Sequence, residues 1–224
     1  MLVLVGMIQL AGGCRSVDPA VKRSQQTADL LVNTRETMFA GEQTVLQSQT
    51  SLRALRDSNG DLRPAFELFL TDLAAVRKQA DRLKIEGESV QTQSVLYCAA
   101  RQTDVSMISD LEMRQLAEKR ASSIKEKCDT INDRYQQVAA GFGQYILKLN
   151  DLQTYLGNEL NSGSLASGQS WIEEALASGE LLRGDIRALA LEIELTSNML
   201  SPVPIAVSAW PTVLEQPNAV ADQR

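Results

Sequence analysis

Between positions 117 and 156, apolar or small residues fall at Ala117, Ala121, Ile124, Cys128, Ile131, Tyr135, Val138, Phe142, Tyr145, Leu149, Leu152 and Leu156. The steps alternate four and three without a break, which is the seam of a heptad helix with both core positions filled. A helix of that length reaches about 60 Å at 1.5 Å per residue. No small globular core is that long, so partner helices must lie along it.

Three more segments supply those partners. Asp18 followed by Pro19 reads as an N-cap and a first-turn proline. The first helix then has a sparse seam at Leu31, Met38, Gly41, Val45, Ser48, Leu52 and Leu55, and its many Gln and Thr residues predict that it is the most loosely held. Ser58-Asn59-Gly60-Asp61 is a turn, with glycine free to take positive φ and Asp61 able to cap the next helix. The second seam runs through Leu62, Phe66, Phe69, Leu73, Val76, Ala80, Leu83, Gly87, Val90, Ser94 and Tyr97, and the pattern is lost from Arg101 to Ile108. Ser109 with Glu112 reads as a capping box for the third helix. The fourth carries Ile172, Ala175, Gly179, Leu182, Ile186, Leu189, Ile193, Thr196 and Leu200. Short connections force sequential helices antiparallel. The expected fold is all-α, an elongated antiparallel bundle of about four long helices, at about 19–57, 62–101, 110–160 and 166–200, with coiled-coil packing. Pro202, Pro204, Pro211 and Pro217 then stop any helix, so 201–224 is expected to be an extended or disordered tail.

Composition narrows the chemistry. Aromatic residues are only 4% of the 224, so aliphatic side chains and alanine must fill the core. The net charge is −6 and no basic stripe stands out, which argues against nucleic acid as a partner. Histidine is absent, and with it the commonest general base and transition-metal ligand. Walker, Gly-x-Ser-x-Gly and Cys-x-x-Cys motifs are missing too. The acidic pairs Glu86 with Glu88, Glu173 with Glu174 and Glu192 with Glu194 stand one or two positions apart, so their side chains do not face each other on a helix. They read as solvated faces. No catalytic, cofactor-binding or metal-binding residue is expected, and no cofactor.

Cys98 and Cys128 are the tempting pair. A hairpin turning near position 106 would offset them by about 20 Å along the axis, well beyond the about 7 Å that a disulfide allows between Cα atoms. Cys128 is on the seam, where a thiol acts as a small buried hydrophobe. The expectation is that the two do not bridge. Gly87 and Gly141, on facing seams, could leave room for a small apolar ligand between helices.

The start of the chain is apolar and uncharged as far as Cys14, and too short to span a bilayer, which takes about 20 residues. Leu10-Ala11-Gly12-Gly13-Cys14 resembles a bacterial lipobox. The resemblance implies that 1–13 is a lipoprotein-type signal peptide, cleaved before Cys14, with acyl chains carried by Cys14. Arg15, rather than Asp, follows the cysteine, and the resemblance then favours the outer membrane.

Gly60-Asp61-Leu62-Arg63-Pro64-Ala65-Phe66, Ala117-Glu118-Lys119-Arg120-Ala121 and the run from Asp133-Arg134-Tyr135 to Leu156 resemble an uncharacterised bacterial coiled-coil lipoprotein family, the domain of unknown function numbered twenty-nine fifty-nine. The likeness is one of length, helix order and periodicity and covers the region 25–200. It implies a lipoprotein with long helices and carries no site residues.

Together these readings lead to a non-enzymatic protein on the periplasmic side of the bacterial envelope, lipid-anchored through Cys14, acting as a scaffold or protein-interaction adaptor. Its expected partners are the membrane, an envelope protein not identified by sequence, and a second copy of itself, since long seams often self-associate. The alternative is a helical-bundle sensor or carrier of a small apolar ligand.

Overall fold

The computed structural model describes residues 18–201; positions 1–13, Cys14 and the tail after Ser201 lie outside the described residues. Four long helices and one short one account for nearly all of the chain described: α1 (Pro19–Arg56), α2 (Arg63–Ser106), α3 (Leu111–Asn158), α4 (Ser162–Ser167) and α5 (Gln169–Leu200). No strand occurs among the described residues. The protein is an all-α bundle.

The long helices form a ring of four. Both α1 and α3 pack against α2 and α5, which leaves α1 diagonal to α3 across the core. α3, of 48 residues, runs about 72 Å at 1.5 Å per residue and is the longest element. Its seam is buried at Ile124, Cys128, Ile131, Tyr135, Val138, Phe142, Tyr145, Leu149, Leu152 and Leu156, as the heptad predicts. Every seam position expected on α5 is buried as well.

Local chemistry explains the helix ends. Asp18 accepts the Ala20 N–H at 2.7 Å, with Pro19 in the first turn. Gly60 has φ +128°, a backbone that β-carbon-bearing residues rarely adopt, and it is the one positive-φ residue among those described. Asp61 accepts the Arg63 N–H at 3.1 Å and pairs with its guanidinium, which holds the carboxyl down at about 2. At the start of α3 the cap is Asp110, not Ser109: its carboxylate accepts the Met113 N–H at 2.8 Å. Aspartate caps as well as serine, and one residue later it reaches the same orphan donors.

Three further expectations are corrected. α2 continues past Arg101 to Ser106, because Val105 returns to the buried face and extends the helix one turn beyond the readable pattern. The last connection contains a separate turn of helix, α4, capped by Asn161, so the final helix starts at Gln169 rather than at 166. And α1 is not the loose member. Its buried Thr34, Thr37, Glu42, Ser48, Gln49 and Ser51 are polar, yet several are tied across the bundle. Ser48 hydrogen-bonds the Tyr145 hydroxyl at 2.8 Å, and Gln49 donates to the Leu176 carbonyl at 2.8 Å. Thr37 meets Glu86 at 2.9 Å and Arg82 at 3.0 Å on α2.

The register of the α2–α3 hairpin also departs from the symmetric estimate. Arg77 reaches Asn150, and Gly87 faces Tyr135. These pairs are symmetric about the first turn of α3, not about the end of α2. The first turns of α3 therefore stand beyond α2, which is why Ala117 and Ala121, although on the seam, are only half-buried. The same shift brings Cys98 and Cys128 together: the register of Arg77 with Asn150 and of Gly87 with Tyr135 sets the two thiols level and close enough to influence each other, not 20 Å apart. Neither is in a disulfide here.

Gly87 tests this packing. A β-carbon there would come within 2.3 Å of the Tyr135 ring, whose hydroxyl donates to the Leu83 carbonyl at 2.7 Å. Gly87→Ala should displace the ring and lose about 1–3 kcal/mol of stability, the usual cost of overpacking. Denaturant titration checks it. A variant as stable as the parent would mean that the seam is not closed around this ring.

Candidate functional site

Buried ionisable groups are where a hidden site would show itself. The most buried is Glu42 on α1, fully inside the bundle. It accepts from Arg183 Nε at 2.7 Å and from Arg187 Nη2 at 2.6 Å, both on α5. Arg183 also pairs with Glu180 at 2.8 Å. One buried carboxylate between two guanidiniums is balanced by charge and hydrogen bonds, and its oxygen is already engaged by both. That arrangement ties α1 to α5.

At Gly87 and Gly141 the seams are closed toward the core, and a surface groove of about 200 Å³ lies beside Gly87, lined by Lys84, Glu88, Tyr135 and Gln136. The space beside Gly87 is filled by Tyr135, and a β-carbon on Gly141 would meet Leu182 Cδ1 at 3.0 Å. Gly179 admits Gln49 and the Tyr145 ring just as closely. Each glycine permits a larger side chain from the facing helix to come in, so the small residues mark close approach and not vacancy. A surface groove of about 280 Å³ lies elsewhere, between α3 and α5. Tyr155 and Trp171 form its apolar wall, edge to face at 4.9 Å between centroids, and Lys148 pairs with Glu174 across it at 3.0 Å. Among the described residues there is no group of acids and cysteines placed to hold a metal, and no helix long and apolar enough to cross a membrane.

The feature that does stand out is one end of the bundle. The start of α1, the end of α2, the start of α3 and the end of α5 meet there. Arg23 on α1 pairs with Asp104 on α2, and Ser24 donates to the Leu200 carbonyl at the end of α5. Around the hairpin connection Met107, Leu111, Met113 and Leu116 are all more than half exposed, from 55% to 73%. Four large exposed apolar side chains within ten residues at one tip are a contact region by composition. A second apolar line, Leu191, Leu195 and Met199, follows the outer face of α5 toward the same end at four-residue spacing. Cys14, the one residue that sequence reasoning singles out for modification, lies outside the described residues, four positions before Asp18 at this end. Sequence reasoning missed the tip, because Met107 falls where the heptad lapses and Leu111, Met113 and Leu116 lie off the seam at the start of the third helix, before its first seam residue Ala117.

Glu42→Ala should cost about 3 kcal/mol by leaving the buried Arg183 with only Glu180 to pair it, while the partly exposed Arg187 turns to solvent, as measured by chemical denaturation. Replacing Glu42, Arg183 and Arg187 together by Met should recover most of that loss, since an apolar cluster of similar volume needs no pairing. No recovery in the triple variant would show that the cluster does more than tie two helices. No family model, no curated protein and no solved structure matches this chain.

Proposed function

We propose that this protein is a lipid-anchored scaffold or adaptor of the bacterial envelope, without catalytic activity, held on the periplasmic side by acyl chains on Cys14. The observation that carries the reading is a coincidence of two independent features. The lipobox-like run ends at Cys14, and the helix that follows it begins at the bundle end that exposes Met107, Leu111, Met113 and Leu116. Four peptide units separate Cys14 from Asp18, and even an extended chain of that length spans at most about 14 Å. Acylation would therefore bring that apolar end close to the bilayer. The outer membrane is favoured because Arg15 follows the cysteine.

The adaptor half of the reading rests on the outer face of α5. Leu191, Leu195 and Met199 form a helix-in-groove type of ridge, the shape by which one amphipathic helix meets another. Its partner is an envelope protein or a second copy of this chain. The alternative, a carrier of apolar ligands between the seams, is the less favoured reading, because Tyr135 and Leu182 stand against Gly87 and Gly141.

The mature mass together with gradient fractionation of envelope membranes tests the anchor. A polypeptide beginning at Cys14 with acyl chains, sedimenting with outer membrane, is the expected result. Cys14→Ala should keep the precursor mass and leave that fraction. A mature chain that begins elsewhere, or an unmodified Cys14 in a soluble fraction, would overturn the reading.

A further inference from the structure

We propose that Cys98 and Cys128 form an exchangeable dithiol pair that closes to an intrachain disulfide between α2 and α3, with a small-molecule disulfide as the oxidant. The argument starts from placement. Cys128, 3% exposed, is a seam residue of α3 that the register of Arg77 with Asn150 and Gly87 with Tyr135 sets beside Ser94 and Cys98 of α2. Those two residues are one helical turn apart on α2, so Cys128 sits as a knob in a hole of which Cys98 is one wall. The two sulfurs are therefore held against each other by the packing of two long helices. They are not brought together by chance motion of a loop.

The pair is also asymmetric in the way that thiol exchange requires. Cys98 is half-buried and borders a small surface groove lined by Arg101, Gln102, Ser122 and Lys125. Cys128 is buried and does not line that groove. Burial pushes both thiols up, Cys128 to about 11, and on Cys98 the neighbouring Cys128 thiol and the positive charge of Lys125 and Arg101 partly oppose it. Asp129 adds to the effect of burial on both thiols, so exchange should be slow unless catalysed.

The chemistry balances with a disulfide R–S–S–R as co-reactant. Cys98 loses its proton to solvent, and its thiolate attacks one sulfur of the oxidant. A Cys98–S–S–R bond forms, and R–S⁻ leaves and takes up a proton. The Cys128 thiolate then attacks Cys98 Sγ, which expels the second R–S⁻. Two protein thiols are oxidised by two electrons, and one disulfide is reduced to two thiols. The bridge would close a loop through the tip that carries Met107, Leu111, Met113 and Leu116, holding the overhanging start of α3 to α2. The inference does not rest on the proposed anchor, because the reaction can be run on the purified chain.

The test is to equilibrate the full-length protein with glutathione disulfide at mildly alkaline pH and to map its tryptic peptides without reduction. Cys98 lies in peptide 85–101, Cys128 in peptide 128–134 and Cys14 in peptide 1–15, so each pairing has its own mass. The expected product is a monomer with 85–101 joined to 128–134. Its thermal midpoint should rise on the order of 10 °C over the reduced form, since closing a loop of this length restricts the unfolded chain. Cys128→Ser should stop at a stable mixed disulfide on Cys98. Two free thiols after long exposure, a glutathione adduct that persists on Cys98 in the parent protein, or a dimer linked through either residue would each overturn the proposal.

Discussion

A helix of 48 residues with one apolar stripe can bury that stripe only against helices placed end to end or side by side along its whole length. α3 is that helix, and the rest of the bundle follows from it. α2 covers it from one side and α5 from the other, and α1 fills the position left across the ring. Where α2 stops, α3 continues, and its first turns lose their cover. The exposed leucines and methionines at that end are the remainder of a length mismatch between two antiparallel helices of unequal reach. A surface feature thus comes from the same constraint as the core.

Heptad seams decide that helices pack, but they discriminate weakly among registers. Sliding one helix by seven residues sets apolar against apolar again. In this bundle the polar layers of α1 break that degeneracy. Glu42 finds two arginines on α5, Gln49 finds the one carbonyl at Leu176, and Ser48 finds the Tyr145 hydroxyl. Shifting α1 by a heptad would leave each of these groups buried and unpaired, at about 1–3 kcal/mol for each neutral group and more for the charges. The helix with the weakest hydrophobic pattern is in this way the one that specifies alignment. Glycine contributes to the same end. Gly87 and Gly179 accept an aromatic ring at one position along the seam and would reject it elsewhere if larger.

This division explains what could be read from residues alone. The seams of α5 and of α3 from Ile124 onward were legible to the residue, since burial on a helix face depends on spacing and spacing is in the sequence. Asp18, Pro19 and Gly60 were legible for a similar reason: caps and turns are local. The polar interior of α1 was not, because a buried Thr or Glu looks the same as an exposed one until its partner is known. The Cys98 and Cys128 contact was hidden by an assumption of symmetry. Counting outward from a turn presumes that both helices start level, and here α3 starts late. The apolar tip was hidden more deeply, since it exists only once four chain ends are known to share one end of the ring.

On the proposed reading, the same topology gives the molecule a direction. An even number of long helices returns the chain to the end where it began, so the start of α1 and the end of α5 are neighbours, as the contact of Ser24 with Leu200 records. An anchor before α1 then leaves the opposite end of the ring, with the α1–α2 turn and the groove of Tyr155 and Trp171, at the far tip of a rod about 70 Å long. The α5 ridge of Leu191, Leu195 and Met199 lies near the anchored end instead. A partner that binds the ridge must come close to the membrane, whereas one that binds the aromatic groove need not. An odd helix count would have separated the two termini and removed that distinction. The functional geometry therefore rests on the parity of the bundle as much as on any single residue.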